Sequence, residues 1–259
     1  MSSLAEITIG GSLPRTAIPS YPALHSETAA FNATSHSSAF HELAMVGSPS
    51  RACRALNVIA AAIALVVCAP IMFVVAVLVK LSSPGPIIYK QTRVGLDRRS
   101  GDGAEWANRR LIDYGGRLFT MYKFRTMRAD PNTSVQIWAR PGDARVTRIG
   151  QVLRKYRLDE LPQLVNVLKG DMNIVGPRPE QPKIFLTLRE EVESYAARQR
   201  VLPGITGWAQ VNQSYDTSID DVRRKVQLDL EYIQRQSVLQ DLRILFQTIP
   251  VMVLKRGAW

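Results

Sequence analysis

Histidine is scarce in this 259-residue sequence, and its placement limits the chemistry open to the folded part. The three histidines, His25, His36 and His41, all lie in the first 50 residues. That segment is rich in Ser, Ala, Thr and Pro and has no sustained periodicity, so we expect residues 1–50 to be a disordered polar segment. The remainder then has no Ser-His or Cys-His nucleophile and no histidine metal site. Catalysis there would depend on carboxylates, Lys, Arg, Tyr and a hard metal ion.

Cysteine is also rare, with only Cys53 and Cys68 in the chain. Two cysteines are too few for a disulfide framework, and both fall in or beside an apolar run, so we interpret them as buried small hydrophobic residues.

Positive charge is in excess, with a formal net charge of +11. This balance indicates an anionic partner, such as nucleic acid, acidic lipid or a phosphorylated substrate. The basic residues are interleaved with acidic residues and prolines and are not gathered in tracts, so we do not expect a nucleic-acid partner.

Charged residues are missing altogether from residues 55–79, an apolar run long enough to cross a bilayer. The run lies too far from the N-terminus for an ordinary signal peptide. It predicts either one spanning helix or, because Pro70 can kink the helix sharply, a re-entrant membrane helix over residues 51–81. Basic residues stand on both sides, with Arg51 and Arg54 before the run and Lys80, Lys90, Arg93, Arg98 and Arg99 after it. Because positive charge marks the cytoplasmic side, two basic flanks favour the re-entrant helix.

The rest of the pattern predicts a helix-rich, mixed α/β fold with a single catalytic domain over residues 82–259 and a small sheet. Strands are indicated at 87–95 and 117–127, and the text "NIVGPRPEQP" predicts an extended, proline-stiffened loop. We interpret "VLPGITGWAQVN" as a Gly-rich turn. Residues 222–233 and 239–249 have the spacing of amphipathic helices, which either lie in a membrane interface or pack on the domain core. We expect interfacial C-terminal helices.

Two adjacent carboxylates, Asp159 and Glu160, stand in "RLDELPQL" just before an apolar helical pattern. Such a pair can be no more than a favourable start to a helix, with Pro162 in the first turn. Four cationic side chains are nevertheless close in sequence: Lys123, Arg125, Arg145 and Arg178. Mg²⁺ prefers carboxylate and phosphate oxygens, and arginine binds phosphate in a bidentate manner. The combination predicts a magnesium-dependent phosphate site, in which a carboxylate can also be the nucleophile at phosphorus.

From about residue 51 onward the chain resembles the bacterial monotopic phosphoglycosyl transferases, also called the bacterial sugar transferase family. The matching landmarks, in order, are the apolar run with its proline, "SPGPIIYKQTRVG", "MYKFRTM", "RVTRIGQVLRKYRLDELPQLVNVLKGDMNIVGPRP", "LPGITGWAQVN" and "LDLEYIQRQSVLQDLRILFQTI". Together they cover roughly four-fifths of the chain.

The resemblance implies an enzyme that moves a sugar-1-phosphate from a UDP-sugar to undecaprenyl phosphate and releases UMP. It would act on the cytoplasmic face of the bacterial inner membrane and begin exopolysaccharide or related glycan synthesis, with membrane lipid as a further partner. A homo-oligomer is possible by the same analogy.

The resemblance also implies roles for the candidate site residues. Asp159 would be the nucleophile that forms a phosphosugar-enzyme intermediate, and Glu160 its partner, as a base or a contact to Mg²⁺. Both carboxylates are candidate metal ligands. Arg178 of Pro-Arg-Pro would bind phosphate, and Lys123 and Arg125 of "KFRTM" would line the same site.

Two features depart from the family pattern. Residues 96–116 are longer than the usual turn at this place. The segment could be a lid over the sugar nucleotide, a partner surface or a passive insertion, and we favour the passive insertion. The chain also lacks the several N-terminal spans of the larger members, which leads us to expect a compact member. The competing interpretations are a basic membrane adaptor without enzyme activity, a membrane phosphatase and a polyprenyl-linked glycosyl transferase.

Overall fold

The computed structural model describes residues 51–97, 114–128, 143–213 and 218–253. The expectations for residues 1–50 and for most of segment 96–116 lie outside this part of the chain. Within it the fold is helix-rich and mixed α/β with small sheets, as the sequence predicts. The helices are α1 (Arg51–Ser82), α2 (Arg148–Lys155), α3 (Gln163–Lys169), α4 (Pro182–Glu191), α5 (Trp208–Asn212), α6 (Ile219–Arg235) and α7 (Val238–Val253). The strands are β1 (Ile88–Val94), β2 (Leu118–Phe124), β3 (Asn173–Val175) and β4 (Gly204–Thr206).

Helix α1 is continuous through Pro70 and contains 32 residues. Among the described residues it is the one helix long and apolar enough to cross a membrane, as judged from length and composition. Its middle is bare of protein contacts on much of its surface, since Val66 is 76% exposed and Phe73 is 71% exposed. The apolar run therefore forms a helix, and apolar side chains in the middle of that helix are exposed and do not pack in the protein core.

The N-terminal end of α1 is fastened to the domain by polar side chains. Arg54 donates from Nη1 to the Met172 carbonyl at 3.0 Å and from Nη2 to the Val167 carbonyl. The buried Asn57 accepts a hydrogen bond from the Ile174 N–H at 2.8 Å. Polar groups inside an otherwise apolar helix are costly to bury unless they are bonded, so these contacts specify where the helix docks.

The C-terminal end of α1 is fastened to the same domain. Arg125, which follows β2 directly, donates to the carbonyls of Pro84 at 2.9 Å, Val79 at 3.3 Å and Ser83 at 2.5 Å. The Val79 carbonyl belongs to the last turn of the helix, where carbonyls lack intrahelical partners, and those of Ser83 and Pro84 lie just beyond the helix end. A buried guanidinium thus ends the helix and turns the chain toward β1.

The two strands that the sequence predicts at 87–95 and 117–127 are present as β1 and β2, and they pair as an antiparallel hairpin. The register pairs Tyr89 with Lys123 and Arg93 with Phe119. Phe119 and Met121 are buried against Ala61 of α1 and residues of α3, whereas Phe124 packs in a second cluster with Val75 and Val79 of α1. The hairpin therefore lies over both halves of α1.

A second sheet, β3 paired in parallel with β4, lies inside segments that the sequence predicted to be a loop and a turn. Gly176 and Gly204 allow the two segments to approach, because a Cβ on Gly204 would lie 2.1 Å from the Gly176 nitrogen. Three-residue strands are too short to give an alternating pattern, which is why periodicity missed them.

Helices α6 and α7 cover this sheet, and their predicted apolar faces have different environments. Val222, Val226 and Ile233 of α6 are buried, so this face belongs to the core. In α7, Ile244 is buried, whereas the stripe formed by Leu239, Leu242, Phe246 and Ile249 is exposed.

A buried polar contact joins α7 to α6. The Tyr232 hydroxyl donates to Asp241 Oδ1 at 2.8 Å and also lies 3.2 Å from the Val175 carbonyl, and Gln236 Nε2 donates to it at 3.3 Å. One phenolic proton cannot serve both acceptors at once, so the hydroxyl donates either to Asp241 Oδ1 or to the Val175 carbonyl. Burial raises the pKa of Asp241 to about 6, although the Tyr232 hydrogen bond opposes the shift.

We expect Asn57→Leu to lower the free energy of unfolding by about 1–3 kcal/mol, because it leaves the Ile174 N–H buried without an acceptor. Thermal unfolding in detergent micelles, followed by circular dichroism, measures the loss. Ile59→Leu, on the exposed face of the same helix, is the matched control and should change little. Equal melting temperatures for wild type and Asn57→Leu would contradict this docking contact.

We expect Asp241→Asn to remove part of the pH dependence of stability. A carboxyl whose pKa is about 6 in the folded state, above the ordinary value of 3.8, destabilises the fold when ionised. The contribution of Asp241 to the free energy of unfolding of the wild type should therefore become more favourable as pH falls through 6 toward 4. At pH 7.5, where Asp241 is ionised, the Asp241→Asn variant should be the more stable protein. Chemical denaturation at each pH tests this, with the exposed Glu190→Gln as control. A wild-type protein at least as stable as Asp241→Asn at pH 7.5 would argue against it.

Candidate functional site

The acidic pair lies in a short 3₁₀ turn, Leu158–Glu160, between α2 and α3. Pro162 stands just before the first residue of α3, so the pair precedes the helix itself. The sequence predicted that Pro162 lies within the first turn of the helix, whereas in the structure it is the residue immediately before that turn. Arg157 enters the turn in the left-handed region, with φ 56°. This conformation is strained for a residue with a side chain, and it separates the acidic turn from α2.

Glu160 is the centre of an ion-pair cluster. Its Oε1 atom accepts from Lys123 Nζ at 2.8 Å and from Arg178 Nη2 at 2.8 Å, and Arg157 Nη1 lies 3.8 Å away. The carboxylate is only 7% exposed. Burial alone would raise the pKa of Glu160, but Arg178 and Lys123, followed by Arg157, hold that pKa well below its usual range. Glu160 is therefore ionised in this state and is a weak base.

Asp159 is also buried, but its surroundings are different. Oδ1 has no hydrogen-bond partner among the described residues. Burial raises the pKa of Asp159, and the neighbouring charge of Glu160 raises it further, against the cations Lys123, Arg154 and Arg178. A buried carboxylate oxygen without a partner is unfavourable for stability and is available to a ligand. The two adjacent carboxylates thus differ: Glu160 is paired, and Asp159 presents an unused oxygen.

Lys123 and Arg178 reach this turn from two separate elements, as the sequence predicted. Lys123 is near the end of β2, and burial lowers the pKa of its ammonium group against the raising effect of Glu160. Arg178 lies on the loop after β3, which we call the Pro-Arg-Pro loop (residues 176–181). The loop and the hairpin thereby converge on one carboxylate oxygen.

The structure places the other two predicted substrate-binding residues elsewhere. Arg125 uses its guanidinium on the carbonyls at the end of α1, as described above. Arg145 makes a bidentate contact with Asp143, with Nη2 2.6 Å from Oδ2, and this hydrogen bond lowers the pKa of Asp143 to about 2. Basic residue type and sequence proximity could not separate these structural arginines from those that reach Glu160.

Sequence reasoning missed Arg154 and Arg157 as contributors to the field at the acidic pair. Arg157 is three residues before Glu160, a spacing that brings side chains together in a helical turn and could have indicated the contact. Arg154 is held by a hydrogen bond from Nε to Thr126 Oγ1 at 2.9 Å, and no local signal in the sequence predicts that contact.

The acidic turn is connected to α1 through the apolar side chains beside the two carboxylates. Leu161, the next residue, packs against the cluster that contains Ala61 of α1 and against the cluster that contains Val75 and Val79. One side chain beside the two carboxylates therefore contacts the packing of both halves of the apolar helix.

The donor set can contribute to a divalent cation site but cannot complete one. In the parts of the chain that the structure describes, no group of three or more His, Cys, Asp or Glu side chains is placed to hold a metal. Asp159 Oδ1 is the buried oxygen left over for such an ion. Mg²⁺ commonly binds through one or two carboxylates and takes its remaining ligands from water and substrate phosphates. The residues present fit that mode.

Comparison with known proteins identifies relatives across most of the chain. The model of the bacterial sugar transferase family matches residues 49–255. A UDP-N-acetylgalactosamine-undecaprenyl-phosphate N-acetylgalactosaminephosphotransferase of Aeromonas hydrophila is 42% identical over 205 residues, which are 79% of this chain and 44% of the relative. A UDP-glucose:undecaprenyl-phosphate glucose-1-phosphate transferase of Escherichia coli K12 is 39% identical over 76% of this chain and 39% of its own length.

A shorter relative matches nearly end to end. The exopolysaccharide production protein PSS of Rhizobium leguminosarum bv. phaseoli is 36% identical over 210 residues, which are 79% of this chain and 96% of the relative. The chain thus spans less than half the length of the first two relatives and almost all of this one. On the extent of the family match and these identities, the chain belongs to the bacterial sugar transferase family.

Proposed function

We propose that this protein transfers a sugar-1-phosphate from a UDP-sugar to undecaprenyl phosphate, giving undecaprenyl-diphospho-sugar and UMP, and so begins exopolysaccharide or related glycan synthesis. The observation that carries the proposal is the asymmetry of the acidic pair: Asp159 has a buried oxygen without a partner, and Glu160 holds two cations beside it. The names of the relatives supply the substrate classes.

The chemistry runs in two displacements at one phosphorus. In the first, an Asp159 carboxylate oxygen attacks the phosphorus that carries the sugar, and the bond from that phosphorus to the bridging oxygen breaks. UMP leaves with the electron pair, and the sugar phosphate remains on Asp159. In the second, an oxygen of undecaprenyl phosphate attacks the same phosphorus and the bond to Asp159 breaks, which restores the carboxylate.

Lys123 and Arg178 fit the role of phosphate-binding groups. Both are held at 2.8 Å from Glu160, so their positions are set before any substrate arrives. Cations fixed in a site of low exposure stabilise developing negative charge without reorganising. The family resemblance gives Glu160 the role of a base or of a contact to Mg²⁺, and its lowered pKa argues against the base. Its two close ion pairs add a further role, that of a fixed charge that holds Lys123 and Arg178 in place.

Mg²⁺ is the proposed cofactor. Asp159, through Oδ1, and Glu160 are the residues that would hold it, together with the diphosphate of the donor. Bound there, it would neutralise phosphate charge and polarise the phosphorus for attack.

The lipid substrate requires a site at a membrane surface, and the packing of Leu161, next to the acidic pair, against clusters on both halves of α1 supports that. We propose that α1 enters the inner membrane from the cytoplasmic face and returns to it. Both of its ends are hydrogen bonded to one domain, at Arg54 and Asn57 and again at Arg125. A helix that crossed the bilayer would place its two ends on opposite faces, roughly 48 Å apart if straight.

Helix α7 supplies a further apolar surface for the membrane interface. Leu239 is 77% exposed and Phe246 is 69% exposed, and Arg243 lies over the Trp208 ring at 5.7 Å beside them. A basic and aromatic rim on an apolar stripe is typical of helices that lie in the headgroup region. By contrast, the apolar face of α6 is used in the core.

We expect the purified protein with Mg²⁺, a UDP-sugar and undecaprenyl phosphate to release UMP, and Asp159→Asn to abolish the release, because an amide cannot form the covalent intermediate. Nucleotide products are separated by chromatography, and membrane binding of Asp159→Asn is checked by sedimentation with vesicles. Asp220→Asn, which changes an exposed carboxylate of α6, should retain activity. Release of UDP, or full activity in Asp159→Asn, would refute the proposed chemistry.

We expect the two ends of α1 to be accessible from the same side of the membrane. In a background with Cys53→Ala and Cys68→Ala, the exposed positions 52 and 90 are changed one at a time, as Ala52→Cys and Lys90→Cys. A membrane-impermeant maleimide should label both in inverted vesicles and neither in intact spheroplasts. Labelling of the two positions from opposite sides would show a spanning helix.

A further inference from the structure

The Pro-Arg-Pro loop is held in place through its backbone oxygens. Gly204 N–H donates to the Pro177 carbonyl at 2.9 Å, and Val94 N–H donates to the Glu180 carbonyl at 2.9 Å. Two arginine side chains bind the carbonyls between them. Arg198 Nη2 donates to the Arg178 carbonyl at 3.1 Å, and Arg93 Nη1 donates to the Pro179 carbonyl at 2.9 Å. Four consecutive carbonyls are thereby bonded to four different donors.

This mode of attachment follows from the loop sequence. Pro177 and Pro179 have no N–H, so the loop has few donors of its own with which to join a sheet. A residue before proline is confined to extended conformations, which stiffens Arg178 but does not decide where the loop lies. The donors from outside the loop supply its position, and with it the position of the Arg178 side chain.

Arg198 is unusual because its side chain has 0% exposure. It pairs with Asp229 of α6 through an Nε–Oδ2 contact of 2.6 Å. A buried ion pair is seldom more stable than an apolar pair of similar volume, so stability alone does not account for it. The hydrogen bond from Arg198 to the Arg178 carbonyl accounts for the buried pair, since an apolar residue at position 198 could not make this bond.

Arg93 reaches the loop from β1. Its Nε and Nη2 atoms donate to Gln91 Oε1 at 3.1 Å and 2.6 Å, which orients the guanidinium toward Pro179. Glu180 Oε2 lies 3.8 Å from Arg93, and Glu180 Oε1 accepts from Lys225 of α6 at 3.1 Å. The end of β1 and the middle of α6 are therefore both connected to this one loop.

We propose that Arg93 and Arg198 are positioning residues that set the Arg178 guanidinium against Glu160 and against the phosphate of the donor. This inference depends on the proposed function for the identity of the substrate. Neither residue needs to contact the substrate, and Arg198 cannot do so because it is fully enclosed. The effect of each is transmitted through a backbone carbonyl to the side chain of Arg178.

A double-mutant cycle between Arg93 and Arg178 tests the inference. We expect Arg93→Gln to lower kcat for UMP release about 10- to 100-fold with a smaller change in KM for the UDP-sugar, because a small displacement of a charge-stabilising group mainly weakens the transition state. Arg93→Lys, which keeps a donor of the same charge, should recover part of the rate. In an Arg178→Ala background, Arg93→Gln should change kcat less than about twofold, since the side chain that it positions is gone.

Arg198 requires a variant that preserves folding. Arg198→Leu combined with Asp229→Leu removes the buried pair as a whole, avoids an unpaired buried charge and should keep the melting temperature near that of wild type. This double variant should lower kcat in the wild-type background, and in the Arg178→Ala background it should cause no further loss of kcat. Arg223→Gln, an exposed arginine of α6, is the control and should leave kcat unchanged.

Effects of Arg93→Gln that are as large in the Arg178→Ala background as in wild type would overturn the inference, because Arg93 would then act on the substrate or on the fold. If the wild type releases UMP and the effects of Arg93→Gln and Arg178→Ala on kcat are additive, the proposed function stands and the positioning role fails. Should wild type release no UMP, the proposed function fails. In that case the affinity for UDP is measured by calorimetry for the same set of variants. Additive losses of binding free energy in the double variant, or no binding of UDP to the wild type, would overturn the positioning role as well.

Discussion

The contact on which the site depends is the shared acceptance of Lys123 and Arg178 by one oxygen of Glu160. Lys123 comes from the hairpin and Arg178 from the Pro-Arg-Pro loop, so a single buried carboxylate joins two elements that are distant in sequence. A buried anion is tolerable only when it is paired, and two cations beside one carboxylate need a further anion nearby. Asp159 meets that need in the resting state, at the expense of a raised pKa and an oxygen without a partner. The unfavourable part of the arrangement is the part that can react.

The apolar helix gives this cluster its location. Arg54 and Asn57 fix one end of α1, Arg125 fixes the other, and Leu161 packs against the clusters formed by both halves. The acidic turn cannot move away from the apolar surface without breaking these contacts. Rigid attachment at both ends of α1 therefore links the chemistry of a phosphate site to the depth at which a lipid phosphate would lie.

Much of this arrangement was predictable from the sequence, and the exceptions have physical causes. Alternation and charge-free length predicted the β1–β2 strands and α1, and the pairing of a cation-rich neighbourhood with two carboxylates predicted the meeting of Lys123 and Arg178 with Glu160. Strands β3 and β4 were missed because three residues give no period. Arg125 and Arg145 were assigned to substrate because an arginine that binds carbonyls or a neighbouring aspartate has the same local sequence signature as one that binds phosphate. Only the fold decides which carbonyls come within reach. The hydrogen bonds from Arg93 and Arg198 to the carbonyls of the Pro-Arg-Pro loop could not be predicted from the sequence for the same reason.

The charge balance of the cluster gives a physical reason for two displacements at one site. Four cations, Lys123, Arg154, Arg157 and Arg178, act on Asp159 and Glu160, which leaves an excess of two positive charges when both carboxylates are ionised. In the proposed first displacement, the carboxylate charge of Asp159 would disappear, and the single charge of the bound phosphodiester would replace it at nearly the same place. The cations therefore experience the same net charge before and after the first displacement. A site preorganised for the nucleotide donor is then equally preorganised for the lipid phosphate, and neither half-reaction requires the buried charges to rearrange.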